Sequence, residues 1–155
     1  MRLTHFSNYA IRVLMYAALK RDAPSAVPEI ASAYGASYDH MKKVASELCR
    51  RGYLEPVRGR NGGFRLAKEP GQIRIGGVIR QTEGDITLVE CFDAATNTCP
   101  LPAVCRLRMA LQEALDAFFD VLDRYTLADL IRAPDALTQL LRLDAPTGAS
   151  AGASR

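Results

Sequence analysis

Apolar residues at steps of three and four open the chain. Leu3, Phe6, Ala10, Val13, Leu14 and Ala17 lie on one face of a first amphipathic helix, and Asp22-Ala23-Pro24-Ser25 ends it. Pro28 suits the first turn of a second helix. Gly35 breaks that pattern, and Ser37 is a candidate N-cap for a third helix running through Arg51. This third helix has Met41, Val44, Ala45 and Leu48 on its apolar face, with Gly52 just past its end. Two extended runs follow, 53–57 and 63–66, flanking Arg58-Gly59-Arg60-Asn61-Gly62, whose Asn-Gly pair predicts a hairpin. Residues 73–79 fit a short strand or a short helix equally well. Residues 84–102 are irregular, and Pro102 is expected to open a long helix. Leu107, Leu111, Leu115, Phe118 and Leu122 make a stripe along it, with Ala110, Ala114, Ala117 and Val121 beside them. The small, polar run after Leu143 reads as a disordered tail.

The fold class that follows is mainly α with a small β-hairpin wing. A winged helix-turn-helix is expected at 1–80, a loop at 81–103, a long dimerisation-helix region at 104–143 and a tail at 144–155. The helix-turn-helix rests on several positions at once. Ala31 permits close helix approach, Gly35 supplies a left-handed turn residue, and Ile30, Tyr34, Met41 and Val44 fall at core-facing positions. The stripe on the long helix is too extensive for the first half of the chain to cover. The same helix of a second copy, related by a two-fold axis, is the simplest partner.

Charge changes the picture. The net charge of +3 divides into +8 over residues 1–80 and −5 over residues 81–155. A basic first half suits a polyanion, and an acidic second half should stay away from it. On the third helix, Ser37, Tyr38, His40, Lys42 and Lys43 lie early and off the buried stripe, where such a helix meets DNA. Tyr38 and His40 are candidate base readers, whereas Lys42 and Lys43 suit phosphate. Arg58, Arg60 and Asn61 tip the wing, and Arg65 sits on its return strand, a pattern fitted to the minor groove or to phosphates. Arg2 and Arg12 are further candidates for backbone contacts. No apolar run reaches the roughly 18 residues of a membrane span, and no secretory signal is recognisable, so the cytoplasm is the expected compartment. There, four cysteines are expected as thiols or metal ligands and not as disulfides.

Cys91, Cys99 and Cys105 fall within fifteen residues, with seven and then five residues between them. The loop around the first two is able to wrap a ligand, and Cys105 is expected in the first turn of the long helix, where the macrodipole favours an anionic ligand. Three soft donors suit an iron–sulfur cluster or zinc. The spacing is not that of paired C-x-x-C motifs, which argues against a zinc knuckle or a dithiol redox pair. Cys49, beside Leu48 in a helix, reads as packing. A fourth ligand would come from another residue, a small molecule or a partner chain, with His5 and Asn8 as candidates. Glu90 and Asp93 are hard oxygen donors expected to stay solvated. No catalytic nucleophile–base pair or phosphate loop is present, so an enzyme is not expected.

The segments MRLTHFSNYAIRVLMY, PEIASAYGASYDHMKKV, VRGRNGGFRLAK, LVECF with CPLPAVCRL, and YTLADL resemble the Rrf-type iron–sulfur repressors, from Met1 to about Leu141. The resemblance implies a homodimer on double-stranded operator DNA. It also implies a cluster, 4Fe-4S or 2Fe-2S, held by Cys91, Cys99 and Cys105 near the dimer interface. Members of the nitric-oxide-sensing NsrR type use an Asp of the partner's first helix as fourth ligand; Asn8 stands at that position here, as in the iron-responsive RirA type. LVEC, CRL and YTLADL are more similar to the NsrR type. Nitric oxide, or iron status in the alternative, is the implied signal. A helix-turn-helix thiol or zinc sensor without a cluster, and an iron–sulfur electron carrier, are the other classes the residues leave open.

Overall fold

The computed structural model describes residues 2–84, 86–101 and 103–143. The chain runs through α1 (His5–Leu19), α2 (Val27–Tyr34), α3 (Tyr38–Arg50), β1 (Leu54–Val57), β2 (Gly63–Leu66), α4 (Ile75–Glu83), α5 (Arg106–Arg124), α6 (Leu127–Leu130) and α7 (Pro134–Leu140). Single 3-10 turns lie at Pro70–Gln72 and Glu90–Phe92.

Thr4 caps α1 by accepting the Ser7 N–H at 3.2 Å. The apolar face foreseen for α1 is buried at Ala10, Val13, Leu14 and Ala17. It packs against α3, α4 and β2. Pro28 stands in the first turn of α2, and the Glu29 carboxylate reaches back to the Ala26 N–H at 3.4 Å. Gly35 ends α2 in the left-handed conformation, φ 58° and ψ 37°, which a Cβ would disfavour. The chain thereby turns directly into α3, whose Met41, Val44, Ala45 and Leu48 close the core against Ile30 and Ala31. Ser37 stands at the N-cap of α3, but its side chain makes no capping hydrogen bond.

β1 and β2 pair antiparallel, Leu54 opposite Leu66 and Val57 opposite Gly63. The positive φ of the connecting loop belongs to Gly59 (115°), not to Asn61 or Gly62. The hairpin is therefore a five-residue loop closed by the Gly62 N–H on the Gly59 carbonyl at 3.0 Å, not a tight Asn-Gly turn. Ser25 extends the sheet by exchanging two 2.9 Å backbone hydrogen bonds with Phe64. A Cβ on Gly63 would sit 2.2 Å from the Ser25 carbonyl oxygen.

The segment 73–79, left open between strand and helix, leads into a helix: α4 begins at Ile75, runs to Glu83 and buries Ile75, Val78 and Ile79. Arg74, just before it, bridges to Thr126. The long helix begins at Arg106 with Cys105 as its N-cap, later than expected; Pro102 lies outside the described residues. Cys105 is thus at the cap and not within the first turn. The expected tail at 144–155 also lies outside the described residues.

The C-terminal half of α5 is locked to the first half of the chain. Arg80 donates two hydrogen bonds to the Asp123 carboxylate, at 2.9 and 2.7 Å, and lies over the Phe119 ring at 4.2 Å. These bonds hold the Asp123 carboxyl below its ordinary range. Arg74 donates to the Asp123 carbonyl at 2.8 Å, and Ile75 N–H to the Tyr125 carbonyl at 2.9 Å. Gly76 permits this approach, since a Cβ there would meet Asp123 Oδ1 at 2.1 Å. No residue of α5 is fully buried. Leu122 and Phe119 pack on the core, whereas Leu107 at the other end is 66% exposed.

Candidate nucleic-acid interface and cysteine loop

Burial of Met41, Val44 and Leu48 on one side of α3 turns the opposite face outward. Ser37, Tyr38, His40, Lys42 and Lys43 are all exposed there, Tyr38 by 48%. The wing loop leaves Arg58, Arg60 and Asn61 exposed at its tip, and Arg65 exposed on β2. β1 follows α3 after a short turn and packs against it, so the basic hairpin adjoins the helix. The arrangement offers an exposed helix start with polar and cationic side chains beside an arginine-tipped ribbon.

His40 is not a free surface side chain. Its ring stacks on Tyr9 of α1, with centroids 6.4 Å apart and planes at 30°. Tyr9 in turn neighbours His5 at 6.0 Å and carries the Arg12 guanidinium at 5.8 Å. Arg12 also lies 5.4 Å from the Tyr34 ring, so this half-buried side chain packs between two tyrosines. His5, Phe6, Tyr9, His40, Lys43 and Val44 line a small, mostly apolar cavity of about 180 Å³ between α1 and α3. Tyr9 was not singled out from the sequence. Its position next to Asn8 on an amphipathic helix held no signal of a partner on α3.

The loop between α4 and α5 carries the thiols. All four cysteines are free and half-buried. Cys91 lies in the Glu90–Phe92 turn. Cys99 is held by its neighbour Asn97, whose side chain accepts the Cys99 N–H at 3.0 Å and donates to its carbonyl at 3.3 Å. Cys105 Sγ accepts the Arg108 N–H at 3.5 Å, the cap of α5. Asp93 accepts from the Ala95 N–H and the Thr96 hydroxyl, both at 2.9 Å, which lowers its carboxyl below the ordinary range. These bonds tie Asp93 into the loop, and the residue is partly exposed. Glu90 is exposed, as expected. Cys49 is elsewhere, half-buried against the core at the end of α3, and burial pushes its thiol up.

Among the described residues, no three His, Cys, Asp or Glu side chains stand close enough together to hold a metal ion. The donor chemistry nevertheless suits a soft metal centre: three unpaired thiols, none tied to another, on one irregular stretch. His5 and Asn8 are exposed on α1, at the start of the helix that meets α3.

A basic helix-turn-helix with a wing and a long trailing helix defines a DNA-binding transcription regulator. Residues 3–133 match the Rrf2 family, described as "Iron-dependent Transcriptional regulator", and the chain belongs to that family. It is 49% identical over 144 residues to an "HTH-type transcriptional regulator NsrR" of Halalkalibacterium halodurans, covering 92% of this chain and 99% of the relative. A protein of the same description from Geobacillus kaustophilus is 50% identical over 143 residues, covering 92% and 97%. The solved structure described as "T. potens IscR" superposes with a TM-score of 0.70 over 88% of each chain; at 24% identity it supports the fold alone. These relatives are described as transcriptional regulators.

Proposed function

We propose that this regulator is a homodimeric repressor whose operator affinity is set by an iron–sulfur cluster, and that it responds to nitric oxide. The observation that carries the reading is the placement of three free thiols in the loop joining α4 to α5, between the reading head and the long helix. The domain limits follow: a reading head at 1–80, a cluster-binding loop at 81–103, and a dimerisation region at 104–143.

Each group has a role in this reading. Tyr38 and His40, from the start of α3, meet base edges in the major groove. Ser37, Lys42 and Lys43 hold phosphates, and Arg58, Arg60 and Asn61 enter the minor groove or clamp its backbone. Leu107, Leu111, Leu115 and Phe118 cover their counterparts on a second copy, with Leu122 at the end of the same stripe. Cys91, Cys99 and Cys105 hold the cluster, of 4Fe-4S or 2Fe-2S type, with Asn8 or His5 of the second copy beside it. When bound, the cluster supplies iron that reacts with nitric oxide.

The loop is tied to the head at one end and to the long helix at the other. Glu83, at its start, accepts the Thr4 N–H at 2.7 Å and the Thr4 hydroxyl at 3.0 Å, which fixes the start of α1. Cys105, at its other end, caps α5. Release of the thiols frees the α5 start relative to α1 and α3 and alters the spacing of the two reading helices. Affinity for a two-half-site operator depends on that spacing.

A second reading, iron status as the signal, is favoured by Asn8 and by the iron-dependent description of the family. Anaerobic purification and spectroscopy, followed by titration with nitric oxide or with an iron chelator during DNA-binding measurement, separates the two. Loss of binding at a few equivalents of nitric oxide, with binding retained in chelator, supports the first reading; the reverse supports the second. Cys91→Ala, Cys99→Ala and Cys105→Ala each abolish cluster loading while Cys49→Ala does not. Full iron content in all three loop variants overturns the cluster.

A further inference from the structure

One residue touches both ends of the cysteine loop, through its backbone at one end and its side chain at the other. The Arg108 backbone N–H is the donor to Cys105 Sγ at 3.5 Å, and the Arg108 side-chain Nε donates to the Cys91 carbonyl at 3.2 Å. The same guanidinium lies 5.8 Å from the centre of the Phe92 ring. Arg108 is half-buried. Cys91 and Cys105 are fourteen positions apart in the chain, and bringing such distant positions together has an entropic cost. A planar, always charged donor fork suits this bridging work.

We propose that Arg108 is a positioning residue for the thiol site, holding Cys91 against the first turn of α5 so that Cys91 and Cys105 are paired before any metal arrives. A guanidinium has no lone pair for a metal, so Arg108 gathers ligands and is not one of them. This proposal rests on the cysteine loop being the metal site. Its primary measurement, however, is made on the metal-free protein.

The test reads proximity through thiol chemistry. Two backgrounds are made, Cys49→Ala with Cys99→Ala, and Cys49→Ala with Cys105→Ala. Each is oxidised with diamide, which takes up two electrons and two protons as the two thiols form one disulfide. Quenched samples are read by mass spectrometry. In the first background, Arg108→Ala slows formation of the Cys91–Cys105 disulfide by roughly tenfold, the factor that one charge-assisted hydrogen bond represents. Arg108→Lys gives an intermediate rate, because the ammonium can still donate to the carbonyl but lacks the planar fork. In the second background, formation of the Cys91–Cys99 disulfide is unchanged by either variant.

Equal Cys91–Cys105 rates with and without Arg108 overturn the proposal. Equal slowing of both disulfides also overturns it, since that outcome reports a general disordering of the loop. Anaerobic reconstitution with iron and sulfide is the companion measurement. Failure of the parent chain to take up either refutes the cluster reading while leaving the disulfide rates to judge Arg108. Slower iron uptake by Arg108→Ala, with an unchanged final cluster spectrum, is the loading result expected.

Discussion

Gly63→Ala tests whether the wing is held in place by the strand contact at its base. The new Cβ would stand 2.2 Å from the Ser25 carbonyl oxygen and 2.9 Å from its carbon. Both are backbone atoms and cannot rotate away, so the strand must move by about an ångström to reach ordinary contact distance. That movement breaks or stretches the two 2.9 Å hydrogen bonds between Ser25 and Phe64. Each contributes about 1 kcal/mol net, and residual overpacking adds about 1–2 kcal/mol. With both bonds lost, the expected loss is therefore roughly 3–4 kcal/mol. Phe64, a core residue, moves with it. Urea unfolding measures the stability. Fluorescence anisotropy measures affinity for a duplex that the parent protein has selected from a random pool. Affinity falls because the tip carrying Arg58 and Arg60 is re-aimed. Gly59→Ala is the control: its φ of 115° is strained for alanine, but its Cβ meets nothing within 4 Å. That variant is expected to lose about 1–2 kcal/mol from backbone strain without a steric collision at the wing base. A Gly63→Ala variant within about 0.5 kcal/mol of the parent, with unchanged affinity, would refute the reasoning.

Three further outcomes follow from other parts of the molecule. Arg58→Ala and Arg60→Ala should each weaken DNA binding and lower its salt dependence by about one unit of slope for every phosphate no longer neutralised, with native circular dichroism; unchanged affinity in both variants excludes a DNA-binding wing. The double substitution Leu111→Glu with Leu115→Glu should shift a dimeric parent to monomer in analytical ultracentrifugation and abolish operator binding, because it places charge on the face assigned to the second copy; a parent that is monomeric at micromolar concentration removes the dimer. Hydrogen bonds from Arg50, then Arg51, hold the Glu47 carboxyl down to about 2 from its ordinary 4.5. A depressed carboxyl adds stability above its unfolded value and loses it as pH falls through the folded one, so denaturation between pH 5 and pH 2 should show this loss in the parent and less of it in Glu47→Gln.

Periodicity in the sequence was enough for α1 and α3, because a core-facing stripe repeats every 3.6 residues whatever it packs against, while Pro28 and Gly35 bounded α2. Gly35 needed only its own backbone freedom to end α2. The hairpin was legible, but its turn was not: Gly59 takes the positive φ, and Ser25, nearly forty residues away, fixes the strand base. The segment 73–79 was ambiguous because Ile73, Ile75 and Ile79 are compatible with both periods. The contact of α4 with α5, through Arg80, Gly76 and Asp123, belongs with a helix. The start of α5 was also undecided by pattern, since proline favours a first turn without requiring one.

Residue type and spacing alone nominated the recognition helix, the arginine tip and the three cysteines. Chemistry there is carried by side chains whose exposure follows from the buried stripe opposite. The tertiary structure decided the contacts between distant segments. It stacked His40 on Tyr9, put Arg12 between two tyrosines and drew Asp93 into the loop's own hydrogen bonds. It also let Arg108 span Cys91 and Cys105. None of these pairs has a local sequence signature, because a single side chain finds a partner across the fold only after backbone packing has fixed where both stand. The long apolar stripe of α5 shows the reverse case. Its pattern was plain in the sequence, and the fold of one chain leaves the Leu107 end in solvent because the reading head reaches only as far as Phe119 and Leu122.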